Sequence, residues 1–201
     1  MGGRRAGDHG VPEAWRHIAE TEKTLLTWPT WRDPPPRSGP PRGGSRREDL
    51  YSAAADTIDL IAPLAEKNGL GLEGARLRIV AWAHRREADV TATLEVAGGR
   101  SFVTIARIDA WPADPHANTL RKRLPRWRHV PSMIEGHHVH RFADNAALGA
   151  VAFEPARNLP VAMPVPGDLR SFRDFLRTVE AEFRIAGLVD IPPPDSWESL
   201  I

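Results

Sequence analysis

The sequence predicts an α+β fold with N-terminal helices, a four- or five-stranded mostly antiparallel sheet, and a C-terminal helix packed on that sheet. Three observations predict it. Apolar residues recur at helical spacing toward both ends of the chain, the period drops to two in the middle, and Gly98-Gly99 falls between two alternating runs where a hairpin must turn. With 201 residues, 41% hydrophobic and 26% charged, the chain suits one core of the usual ~100–200-residue size.

The elements follow in order. Residues 1–28 form an N-terminal helical segment, because Val11, Trp15, Ile18, Leu25 and Leu26 share one side of a helix that Pro12 can open. Residues 29–45 hold six prolines and three glycines and read as an extended linker. The α+β domain then spans 46–187. Ser45 and Glu48 make a capping box, and Leu50, Ala54, Ile58, Ile61 and Ala65 follow at helical spacing up to Asn68-Gly69, with Pro63 expected to kink the end. Next comes the meander: Leu77, Ile79 and Ala81 alternate with Arg76, Arg78 and Val80, a second run covers 90–96, and a third covers 102–109. Shorter strands are expected at 137–142 and 149–153. A final helix opens near Asp168 with Leu169, Phe172, Leu176, Val179 and Phe183 on one face, and Gly187 ends it. Residues 188–201 form a Pro-rich acidic tail expected on the surface or against a partner.

Composition excludes several chemistries. There is no cysteine, so disulfides, thiolate nucleophiles and sulfur-held metals are ruled out, and any metal must be held by His, Asp or Glu. No apolar run approaches the roughly 20 residues that cross a bilayer, and the first residues lack the apolar core of a secretory signal, so the expected location is cytoplasmic with no membrane contact. Net charge is +1, which implies no polyanion by itself. The charge is uneven, however: Arg121, Lys122, Arg123, Arg126 and Arg128 crowd around Trp127. Such a run is often only solvated surface. Its functional reading is nucleic-acid binding, with the cations on phosphates and the indole on a base.

Chemistry concentrates in two short stretches. In Gly136-His137-His138-Val139-His140, strand geometry puts His138 and His140 on one face and His137 on the other. Two imidazoles there serve a metal, or an acid–base pair at a phosphodiester, or simply satisfy hydrogen bonds within a sheet. Arg107, Asp109, His116 and Asn118 precede them. Arg107 and Asp109 are either an ion pair at the sheet edge or part of the same site. If they converge on the histidines, His116, His138 and His140 are the candidate metal ligands. Without a metal, His138 and His140 are the candidate base and acid, Arg107 an anion clamp and Asp109 an orienting carboxylate. Position 142 is Phe, so the metallohydrolase pattern HxHxDH is absent, and no second His-bearing motif of the cupin kind follows.

The succession Arg107-Ile108-Asp109, His116-x-Asn118, Gly136-x-His138-x-His140-x-Phe142, and then Phe172, Phe175, Phe183 and Ile185, resembles a family of small bacterial and phage proteins classed as a domain of unknown function. The resemblance covers less than half of the chain and implies a phage, mobile-element or defence setting without a reaction. Two functions follow as expectations. One is a non-enzymatic binding protein that holds a protein or nucleic-acid partner. The other is a phosphodiesterase or ribonuclease-type toxin built on His138 and His140. Cofactor and oligomeric state are left open by the sequence.

Overall fold

The computed structural model describes residues 10–32 and 57–198. Its centre is a nine-stranded, mostly antiparallel sheet, against the four or five strands expected from the sequence. Four long strands make the meander: β3 (Thr57–Glu66), β4 (Gly71–Trp82), β5 (Val90–Gly98) and β6 (Ser101–Ala110). Short strands complete both edges. β1 (Lys23–Leu25) lies on β3, β2 (Trp31–Arg32) also pairs with β3, and β11 (Ile185–Ala186) runs parallel to β1. At the opposite edge β9 (His138–His140) pairs with β6, and β10 (Met163–Pro164) pairs with β9. A separate hairpin joins β7 (His116–Ala117) to β8 (Met133–Ile134). Among the described residues, no helix is long and apolar enough to cross a membrane.

Several expected elements are corrected. The helix predicted through Ile58, Ile61 and Ala65 is strand β3, and its earlier part, 46–56, lies outside the described residues. Asn68-Gly69, taken as a helix stop, is the turn into β4, with Gly69 at φ +86°. Pro63 marks the point where the β3–β4 register shifts, a place where a strand tolerates the missing N–H. The spacing of Ile58, Ile61 and Ala65 fits a helix, but pairing with β4 along eight registered residue pairs outweighs that local preference. The first helix is shorter than expected, α1 (Glu13–Glu20), because Thr21 turns to extended backbone and the chain joins the sheet at Lys23. The strand expected at 137–142 is limited to His138–His140, and Phe142 opens the short helix α2 (Phe142–Ala146). Residues 149–153 form a 3₁₀ turn, Ala150–Phe153, instead of a strand.

The C-terminal helix is as expected in kind. It is α3 (Phe172–Phe183), opened by Ser171, whose hydroxyl accepts the Asp174 N–H at 3.1 Å. Phe172, Phe175, Leu176, Val179 and Phe183 are buried, and they pack over Leu77, Ile79, Ala92, Leu94, Ile105, Ile108 and Val139 from the sheet. Arg184, in left-handed backbone at φ +54°, ends the helix three residues before Gly187. The tail is also corrected. Leu188, Ile191 and Trp197 are buried in the main core, Trp197 on the short helix α4 (Asp195–Glu198).

One face of the meander therefore closes the core. The other carries a polar ribbon: Arg76 with Glu95 at 2.6 Å, Arg78 with Asp59 at 3.3 Å, then Thr91, Arg107 and Asp109. That ribbon leads to the edge strand β9.

Candidate active site

The site starts as a cross-strand quartet. In the β6–β9 pairing Arg107 stands opposite His140, Ile108 opposite Val139, and Asp109 opposite His138. Ile108 and Val139 are fully buried on the core face, so alternation sends the four polar side chains to the other face together. A bulge makes this possible. The β5–β6 register shifts between Leu94 and Glu95, with Ile105 as the extra residue of β6. Before the shift Val103 and Ile105 face the core, and after it Ala106, Ile108 and Ala110 do. An uninterrupted strand would turn Arg107 and Asp109 inward, where neither charge has water.

Asp109 is the hub. Its Oδ2 accepts from Arg107 Nε at 2.8 Å and lies 3.1 Å from His138 Nε2 and 3.2 Å from His140 Nε2. Its Oδ1 accepts from the Thr91 hydroxyl at 2.9 Å. Burial pushes the carboxyl pKa up, but hydrogen bonding to His138 and His140 and the Arg107 charge outweigh it and hold the group well below the usual carboxylate range.

Each histidine has a distinct environment. His140 is fully buried, its Nδ1 donates to the Leu159 carbonyl at 2.5 Å, and its Nε2 accepts from Arg107 Nη2 at 2.7 Å. Burial lowers its pKa to about 4, against the hydrogen bond to Asp109, so the ring is neutral at pH 7. His138 donates from Nδ1 to the Gly136 carbonyl at 2.8 Å, and its Nε2 faces the Asp109 carboxylate at 3.1 Å. His116 stacks on His138 with centroids 5.1 Å apart and is half-buried. Burial and the charges of His138 and Arg107 lower its pKa, while hydrogen bonds to Asn118 and the Pro160 carbonyl pull the other way.

Asn118 fixes the tautomer of His116. Its Nδ2 donates to the carbonyls of Pro131 and Ala162, both at 2.9 Å, and its Oδ1 accepts the Ala162 N–H at 2.7 Å. That oxygen, 3.2 Å from His116 Nε2, can only accept, so the neutral ring carries its hydrogen on Nε2 and its lone pair on Nδ1. Asn145, fully buried, does similar work nearby by binding the Val161 N–H and carbonyl. Together Asn118, Asn145 and His140 pin the irregular segment 159–162 behind the site.

The sequence-predicted residues fall into three groups. Arg107, Asp109, His116 and His138 line one cleft of about 270 Å³, with Thr91, Asp89 and Asp114 also on its wall. His140 stands behind them. One ring nitrogen each of His116, His138 and His140 lies within 4.8 Å of the others, a spacing compatible with a metal ion. His137 faces away, as expected, its Nδ1 accepting the Trp111 N–H at 2.9 Å. The basic residues are apart from this quartet, on two 3₁₀ turns, Arg121–Arg123 and Trp127–His129. There Lys122, Arg123, Arg126 and Arg128 are exposed. Arg121 instead donates to the Val130 carbonyl at 3.1 Å, and Trp127 is half-buried between the guanidinium groups of Arg121 and Arg128. Sequence reasoning missed Thr91, which the bulge brings opposite Asp109, and Asn145, for which the sequence offers no signal. In comparisons with known proteins, the chain matches no family model, no curated protein and no solved structure.

Proposed function

We propose that this protein cleaves phosphodiester bonds by general acid–base catalysis in the manner of a ribonuclease. The observation that carries the reading is the cleft holding two imidazoles side by side in unlike surroundings: His116, whose Nε2 faces the Asn118 amide oxygen, and His138, whose Nδ1 faces the Gly136 carbonyl and whose Nε2 faces Asp109. Two titratable groups held side by side in different surroundings are what acid–base transfer needs. No side chain in the cleft is an activated nucleophile, which favours a substrate that brings its own. RNA does so through the 2′-hydroxyl.

In this reading His116 Nδ1 takes the 2′-hydroxyl proton as O2′ attacks phosphorus. The P–O5′ bond breaks, and the leaving O5′ takes the proton from His138. The products are a 2′,3′-cyclic phosphate and a free 5′-hydroxyl. Arg107, whose Nε and Nη2 are held by Asp109 and His140, offers its remaining N–H groups to the phosphate oxygens. Asp109 and His140 act as positioning residues.

Cleavage of a fluorescent RNA strand by the purified protein tests this. His116→Ala and His138→Ala should each lower the rate by about 10²–10⁴-fold, and a strand with 2′-deoxyribose throughout should be inert. Cleavage that persists in both variants, or its absence in the parent, rejects the reading. A second reading, a divalent metal centre, draws on the 4.8 Å spacing of the three ring nitrogens and on the rim carboxylates Asp89 and Asp114. Against it, Arg107 already donates to the His140 lone pair that ligation needs. Activity lost in a chelator and restored by zinc or manganese would install the metal reading in place of the first.

A further inference from the structure

Three features stand outside the cleft chemistry. The first is the apolar hollow on β3 and β4 around Leu26, Pro63 and Phe102, which has no identifiable occupant. The second is buried Lys23, which donates to the Ile18 and Thr21 carbonyls at 2.7 and 2.5 Å and so serves the end of α1. The third is the 119–132 loop, and it carries an inference.

The loop is cationic in a chain that is otherwise not. Five of its residues, Arg121, Lys122, Arg123, Arg126 and Arg128, are basic, and no acidic residue occurs between Asp114 and Glu135. The whole chain is only +1, so the rest of the molecule is net acidic. Among the described residues, the exposed side chains of Lys122, Arg123, Arg126 and Arg128 make no ion pair with a carboxylate. Like charges gathered on one short loop repel one another unless an anion lies over them.

The loop is also built and aimed. Leu124 and Val130 pack on Val161 as a small core of their own, and Arg121 ties the turns through the Val130 carbonyl. Its root is the site itself. The β7–β8 hairpin that carries the loop holds His116, and Asn118, the first residue beyond β7, binds His116 on one side and the Pro131 carbonyl across the loop's base on the other. A rigid cationic arm therefore springs from the residue that holds the base.

We infer that the 119–132 loop is the track for an unpaired RNA strand, with Lys122, Arg123, Arg126 and Arg128 on consecutive phosphates and the strand continuing into the His116–His138 cleft. The inference rests on the proposed phosphodiester chemistry for the second half of that path. An unpaired strand is required because attack by O2′ needs O2′, phosphorus and O5′ in line, an arrangement that a base-paired A-form backbone does not adopt. Trp127 and Arg121 belong to the arm's own core, leaving the four exposed cations to bind.

The test is binding of a fluorescent 2′-O-methyl RNA 12-mer, which has no free 2′-hydroxyl, measured by anisotropy across a salt series. The parent should bind with a steep salt dependence. Changing Lys122, Arg123, Arg126 and Arg128 together to Ala should weaken binding at least tenfold near 0.1 M salt and flatten the log–log slope by roughly 0.7 per lost contact. His116→Ala should bind like the parent, and the quadruple variant should still cleave a dinucleoside monophosphate at near-parental rate. Unchanged binding in the quadruple variant overturns the inference, as does equal competition by an RNA duplex or by polyglutamate. Binding with no cleavage of any RNA would instead overturn the catalytic reading and leave the arm standing as a nucleic-acid-binding surface.

Discussion

Asp109 and His140 show how one residue's chemistry is set by burial and by partners acting in opposite directions. Asp109 loses hydration but gains bonds from Thr91 and Arg107 and faces two histidines, so its charged form wins. His140 loses hydration and gains an Arg107 donor on Nε2, so its neutral form wins. Each state has a pH signature. The folded pKa of His140, about 4, lies below the ordinary 6.5, so between those values the unfolded chain binds more protons than the folded one. Its contribution to stability is therefore complete above pH 6.5 and falls away as the pH drops toward 4, by up to roughly 3 kcal/mol. Urea unfolding at a series of pH values should show this loss, and His140→Gln should have a shallower slope in the same window. An equal slope in the variant would assign the acid sensitivity elsewhere. Asp109, depressed below its ordinary 3.8, adds a component that is complete above about pH 4 and is lost only below it. Asp109→Asn should abolish that last component. The same substitution should also slow RNA cleavage, since Asp109 holds Arg107 Nε at 2.8 Å and faces His138 Nε2 at 3.1 Å.

At the scale of elements, the site was legible as two triplets and illegible as a register. Arg107-Ile108-Asp109 and His138-Val139-His140 are both polar–apolar–polar, so each announces a strand with one buried and one open face. Their meeting follows once Ile108 and Val139 are buried on the same side. Thr91 was beyond reach. Counting back from the Gly98-Gly99 turn puts Val90 opposite Asp109, and only the extra residue at Ile105 brings Thr91 there. A bulge leaves no mark in periodicity until the face switches, which here happens within the short run Ile105-Ala106. The β3 helix misreading has a related cause. Ile58, Ile61 and Ala65 fit a helix, whereas the alternating buried residues Ile58, Leu60, Ala62 and Leu64 fit a strand. Local spacing allowed both, and pairing with β4 decided. Thr91→Val tests the bulged register at small steric cost. It keeps the shape, removes one bond to Asp109, and should cost about 1 kcal/mol in stability with a several-fold loss of RNA cleavage. Wild-type cleavage in this variant would mean that Thr91 does not help to place the carboxylate.

At the scale of the whole molecule, segments distant in sequence close the core that supports this face. Trp31 donates to the Pro192 carbonyl at 2.9 Å, and Trp197 donates to the Trp82 carbonyl at 2.7 Å while its ring meets Phe172 edge-on at 5.6 Å. The tail that composition marked as a surface appendage is thus the last layer over α3 and the end of β4. Its three prolines are consistent with this role: they stiffen the approach, and Pro194 accepts the Trp197 N–H at 2.9 Å to start the final turn. Trp197→Ala opens a large void in a dry region and should cost about 3–5 kcal/mol, which in a chain of this size lowers the melting temperature by roughly 10 °C. Trp197→Phe keeps most of the packing and loses the bond to Trp82, so a cost nearer 1–2 kcal/mol is expected. Both variants, assayed well below their midpoints, should cleave RNA like the parent, because the tail packs on the core side of the sheet and the His116–His138 cleft opens on the other. A melting temperature unchanged in Trp197→Ala would place the tail outside the cooperative core after all, and a selective loss of cleavage at full stability would mean that the two faces of the sheet are coupled.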